Sequence, residues 1–129
     1  MATTQAQLWK GSNFTIEEVA ATSPKTAVFR FSGPFTARDM FQKLTPAEMR
    51  QLLEPAQDGH TVQVLDLTAV PYMDSAGLGM IVSHYVRCKA KGVKLELTGV
   101  GPKVFHLFEL TNMHQLIPTA VTVEEAAIA

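Results

Sequence analysis

Residues 61–70, TVQVLDLTAV, constrain this chain more than any other stretch. In an extended strand, successive side chains point to opposite faces. Val62, Val64 and Asp66 point one way and Gln63, Leu65 and Leu67 the other, so both faces are mostly apolar. Such a strand belongs in the middle of a sheet covered on both sides. SAGLGMIVSHYVRCKAKG, residues 75–92, follows almost at once. Leu78, Ile81, Val82, Tyr85 and Val86 recur there at helical spacing, and Gly92 supplies a C-terminal stop. A buried strand handing over to an amphipathic helix is the unit of an α/β fold.

The rest of the chain repeats that alternation. FTIEEVAA (14–21) and TAVFRFSG (26–33) read as strands joined by a Ser-Pro turn. In the second, Ala27, Phe29 and Phe31 form an apolar face and Val28, Arg30 and Ser32 a more polar one. ARDMFQKL (37–44) reads as a helical turn. TPAEMRQLLEPA (45–56) reads as a helix with Thr45 at the N-cap, Pro46 at N1, Glu48 closing a capping box and Pro55 ending it. A turn over 57–60 follows. VKLELTGV (93–100) alternates as a strand with Val93, Leu95 and Leu97 on one face, and residues 101–113 form another helix. The last fifteen residues give a short strand and a short C-terminal helix. The expected order is β-β-α-β-α-β-α-β-α, a mixed sheet of four to five strands with about four helices. One domain spans residues 1–129, with 1–13 frayed. The later strands are joined by crossovers and are therefore parallel.

Composition narrows the function. With 129 residues the chain suits one core. Its formal net charge of −1 gives no basic footprint for nucleic acid. No apolar run approaches the ~20 residues that span a bilayer, so no membrane insertion is expected. A single cysteine, Cys88, excludes an intrachain disulfide and suits the reducing cytoplasm.

The polar residues at the handover, Asp74 and Ser75, are the functional candidates, because α/β sheets place sites where a strand gives way to a helix. Either side chain can cap the helix. Gly77 and Gly79 then each cost about 1 kcal/mol of helix propensity, and in exchange leave backbone open to a close neighbour. A serine hydrolase is not expected: Met73 stands where Gly-x-Ser-x-Gly needs glycine, and His84 is too far along the helix to take the Ser75 proton. His60, His106 and His114 could reach Ser75 only through the fold. A phosphate loop lacks its lysine. His84 and Cys88, at i and i+4, read as one exposed and one half-buried side chain rather than a metal pair. No catalytic residue, cofactor or metal is assigned. Lys89, Lys91, Lys94 and Lys103 read as a solvated face complementing the helix dipole. Phe105, Leu107, Phe108 and Leu110 read as core, with room for one exposed residue.

With these residues placed, VQVLDLTAVPYMDSAGLGMIV resembles the central signature of the STAS domain, typified by bacterial anti-sigma factor antagonists. The element order agrees over residues 14–129. The resemblance implies that Ser75 is phosphorylated by a serine kinase that is also an anti-sigma factor, and that a phosphatase reverses the step. It implies a partner-binding set of Gly33, Asp66, Met73, Asp74, Ala76, Gly77, Leu78 and Gly79. Where many antagonists carry Gly-Glu-Leu-Asp after the early strand, this chain reads GPFTARD (33–39). The family also includes stressosome components, chemosensory accessories and lipid-transport subunits. As such a scaffold, the chain would use Ser75 only as a helix cap.

Overall fold

The computed structural model describes residues 4–21, 23–40, 44–54, 59–117 and 119–120. The two-faced strand 62–69 sits inside a six-stranded sheet, as its pattern requires. The strands are β1 (Thr4–Lys10), β2 (Thr15–Val19), β3 (Thr26–Ser32), β4 (Val62–Ala69), β5 (Lys94–Thr98) and β6 (Thr119–Ala120), and their order in the sheet is their order in the chain. β1, β2 and β3 form an antiparallel meander, and β3 to β6 run parallel. The intervening helices are α1 (Ala37–Met40), α2 (Pro46–Leu52), α3 (Ser75–Ala90) and α4 (Pro102–Leu110). A 3-10 turn, Met113–Gln115, follows α4.

The N-terminal segment departs from expectation. Residues 1–13 were expected to fray, yet Thr4–Lys10 pairs with β2 as a sixth strand. Its register slips between Thr4 and Ala6 and again between Gln7 and Trp9. Such bulges destroy strict alternation, which is why no strand pattern is legible there. Trp9 and Leu8 nonetheless pack on the core.

One large core lies between the sheet and its helices. Ala27, Phe29 and Phe31 of β3, Leu65 and Leu67 of β4 and Leu95 and Leu97 of β5 meet Met49 of α2, Ile81 of α3 and Phe108 of α4. The opposite face holds a smaller cluster of Val19, Val28 and Val64. Both faces of β4 are thus buried. α2 starts as expected: Thr45 Oγ1 accepts from Glu48 N at 3.1 Å and the Glu48 carboxylate accepts from Thr45 N at 3.1 Å. It ends at Leu52, earlier than position 56, while Pro55 and the first half of the 57–60 turn lie outside the described residues. So do positions 41–43 of the helical turn and the C-terminal helix, apart from β6 before it.

α3 shows a second correction. Its inward face is Gly77, Leu78, Ile81, His84 and Cys88, not a stripe running to Val86. Val86 is exposed, and Val82 and Tyr85 pack only partly against the core. His84 and Cys88, expected at or near the surface, are both buried. They meet Gln63 of β4, also buried: Gln63 Nε2 donates to Leu53 O at 3.3 Å, which turns its Oε1 toward the His84 ring and the Cys88 thiol. Beside this cluster Arg87 Nη2 pairs with Glu54 Oε2 at 2.6 Å, and Lys91 pairs with the same carboxylate. Lys91 is therefore engaged in an ion pair rather than merely solvated, and Lys94 pairs with buried Glu96 at 2.8 Å. In α4, Val104 and Phe108 are core, whereas both Phe105 and Leu110 are exposed.

Candidate functional site

β4 ends at Ala69, and residues 70–74 carry the chain across to α3. This crossing is stitched to the segment after β3. Gly33 N donates to Ala69 O at 2.9 Å, Phe35 N to Tyr72 O at 3.0 Å and Asp74 N to Phe35 O at 3.4 Å. Phe35 and Met73 form a parallel bridge, so the two segments run on past their strands as an extra ladder rung. Phe35 buries its ring between Phe14, stacked at 5.3 Å, and Phe31, edge-on at 5.1 Å.

The helix start resolves the ambiguity between the two polar residues. Asp74 is the N-cap, with extended backbone, and its Oδ1 accepts from Gly77 N at 3.0 Å. Its Oδ2 accepts from Ala37 N at 3.1 Å, the first residue of α1. Ser75 is the first helical residue and is exposed. Among the described residues no partner engages its hydroxyl. The cap function therefore falls on Asp74 and leaves Ser75 free.

The two glycines differ in kind. A Cβ on Gly77 would lie 2.2 Å from Phe35 O, so the residue is a packing requirement. A Cβ on Gly79 would meet nothing within 4 Å, and Gly79 is exposed one turn above Ser75. Of the other expected site residues, Met73 and Leu78 turn into the core and Ala76 is half-buried. Gly33 has φ +101 and faces Asn13 O so closely that a Cβ would lie 1.9 Å away. It shapes the turn beneath the site. Asp66 stays within its own turn, its Oδ1 accepting from Thr68 N at 3.0 Å and Thr68 Oγ1 at 2.6 Å.

Several neighbours of the site carry no sequence signal of their own. Tyr72 is 45% exposed and, with exposed Pro71, borders Ser75 along the chain. Thr36 and Asp39 cap α1 reciprocally: Asp39 N donates to Thr36 Oγ1 at 3.2 Å, and Thr36 Oγ1 donates to Asp39 Oδ2 at 2.6 Å. The Thr36 hydroxyl holds the Asp39 carboxyl below the usual carboxylate range. Asn13 Nδ2 also donates to Asp39 Oδ1 at 3.3 Å, bringing the β1–β2 turn alongside. Among the described residues no group of three or more His, Cys, Asp or Glu side chains could hold a metal ion. No helix among them is long and apolar enough to cross a membrane.

The STAS-domain family model matches residues 18–126. The chain belongs to the STAS-domain family. It is 35% identical over 75 residues to an anti-sigma-B factor antagonist of Listeria monocytogenes. That match spans 57% of this chain and 65% of the relative's length. Among solved structures, an anti-sigma factor antagonist from Mycobacterium paratuberculosis superposes with TM-score 0.70 at 22% identity, over 92% of this chain and 95% of that one. A sulfate transporter family protein from Wolinella succinogenes superposes with TM-score 0.68 at 15% identity, over 84% and 88%. These two likenesses show the STAS fold, which antagonists and transporter-family proteins share.

Proposed function

We propose that this STAS domain is a phosphorylation-switched interaction module, an anti-sigma factor antagonist whose partner is an anti-sigma factor with serine-kinase activity. The observation that carries this reading is the Ser75 hydroxyl, exposed and free at the head of α3 while Asp74 does the capping. The antagonist sequence relative supports the class of partner. A scaffold role would leave that hydroxyl without a task.

Unmodified, the partner meets Tyr72, Ser75 and the bare backbone at Gly79. Gly77, Met73 and Leu78 support this surface from below. The kinase transfers the γ-phosphoryl group of ATP: Ser75 Oγ forms the new O–P bond, the bond to the β–γ bridging oxygen breaks, ADP leaves, and a kinase base takes the hydroxyl proton. The product carries about −1.5 to −2 charges at pH 7. Within the domain this charge is favoured by ~0.3–1 kcal/mol at the positive end of α3. In the interface it is repelled. A like charge ~6 Å away costs roughly 3 kcal/mol at an effective dielectric of ~20, about a hundredfold in affinity. The partner leaves, and a phosphatase hydrolysing the phosphoester restores the surface.

Ser75→Ala is expected to bind the partner and resist phosphorylation. Ser75→Glu is expected to bind roughly a hundredfold more weakly. Calorimetry and phosphopeptide mass spectrometry with the host's anti-sigma factor kinases check both. Wild-type rates of phosphorylation in Ser75→Ala would refute the site.

A further inference from the structure

Asp74 does more than cap α3. Its two carboxylate oxygens reach two different elements: Oδ1 takes the Gly77 N–H of α3 and Oδ2 takes the Ala37 N–H at the start of α1. The charge beside Ser75 is therefore turned inward onto backbone, not outward to a partner. The surrounding contacts converge on the same junction. Asp74 N donates to Phe35 O, Phe35 N donates to Tyr72 O, and the missing Cβ of Gly77 lets Phe35 O approach α3. α1 has only four residues, too short to hold itself. Its remaining anchors are the reciprocal Thr36–Asp39 cap and the Asn13–Asp39 bond to the β1–β2 turn.

We infer, on the reading of Ser75 as phosphoacceptor, that Asp74 is a positioning residue that braces the 36–39 segment against the phosphorylation site. The partner then meets one composite surface: Tyr72, Ser75 and Gly79 from one segment, and exposed Ala37 and Arg38 from the other. The Asp74 charge is not itself the contact. Its removal should accordingly weaken docking, whereas a purely repulsive role beside the kinase would make removal strengthen it.

Ala37→Pro is the sharpest variant. Proline is tolerated at the first position of a helix, and the substitution deletes only the N–H that reaches Asp74, leaving the α3 cap intact. Asp74→Asn is its complement, since one amide oxygen replaces two carboxylate acceptors and an NH2 group faces the other backbone donor. The assay uses the host's anti-sigma factor kinases, each purified and supplied with ATP. In both variants KM for the chain is expected to rise roughly fivefold, the effect of losing one cap, with kcat unchanged. The urea midpoint of Ala37→Pro should stay near wild type. An unchanged KM in both variants overturns the inference. Amide exchange of the isolated chain separates that failure from failure of the proposed function. Slow exchange at Ala37 in wild type, accelerated in Asp74→Asn, supports the brace even if no kinase phosphorylates Ser75. Fast exchange at Ala37 in wild type, or equal exchange there in the two proteins, overturns it.

Discussion

Gly77→Ala is expected to lose about 3 kcal/mol of stability or more, while Gly79→Ala, two residues along the same helix, gains up to about 1 kcal/mol. Helix propensity alone predicts the same gain for both. The difference lies in what a methyl group would meet. At Gly77 it would fall 2.2 Å from Phe35 O and 3.2 Å from Met73 Cβ. Neither can give way cheaply. Phe35 is held by its backbone bonds to Tyr72 and Asp74 and by ring contacts to Phe14 and Phe31. Pushing it aside would open the ladder between the two segments and disturb the aromatic core together. At Gly79 the methyl would meet open space. Urea titrations of the two variants give the comparison. The Gly79 variant should also bind the proposed partner more weakly despite its greater stability, because its methyl group occupies the face beside Ser75. Equal stability of Gly77→Ala and wild type would mean that the 33–37 segment moves freely against α3, and the composite surface would fall with it.

The same contrast marks what the sequence could and could not disclose. Two glycines after an acid and a serine signal a backbone that something approaches closely, but nothing in one dimension says that for Gly77 the neighbour is Phe35, 42 positions earlier. The parallel core was legible because Leu65, Leu67, Leu95 and Leu97 alternate cleanly, and α2 because a capping box is a local device whose partners are three residues apart. β1 was hidden by its bulges. The inward face of α3 is not legible from periodicity because His84 counts as polar there, and only a buried partner, Gln63, makes its burial tolerable; Cys88, a small apolar side chain, then follows it one turn on. Asp74 and Ser75 were equivalent as cap candidates until the backbone placed Asp74 just outside the helix and Ser75 inside it. The second bond of Asp74, to Ala37, joins residues 37 apart and has no signature in either segment.

The buried Gln63–His84–Cys88 cluster leads to the other large expected effect, a loss of stability in mild acid. Because Gln63 Nε2 is committed to Leu53 O, its Oε1 faces His84, so the neutral imidazole donates through Nε2–H. Burial, reinforced by the nearby Arg87 guanidinium and partly opposed by Glu54, lowers the His84 pKa from 6.5 to about 4. The native ring stays neutral where the unfolded one takes a proton. Between pH 6.5 and 4 the unfolded chain therefore binds more protons, and stability falls as pH falls. The shift of 2.5 between those two values corresponds to about 3 kcal/mol, most of it lost by pH 4.5. Asp39 and Glu54 also lose stabilising ionisation in acid, but their ordinary values are 3.8 and 4.5, so their losses come mainly below this window. Urea midpoints at pH 7 and pH 4.5 should differ accordingly in wild type. His84→Leu should be nearly level between them, though less stable by about 1–3 kcal/mol at pH 7 because Gln63 loses its best donor. The Cys88 thiol, pushed up to about 12 mainly by burial, stays protonated and should react with alkylating reagents only as fast as the core opens. At a fixed pH its alkylation rate, relative to that of the urea-unfolded chain, thus reports core opening independently. A His84 ring that titrates near 6.5 by NMR in the folded chain would show instead that α3 lets water reach Gln63.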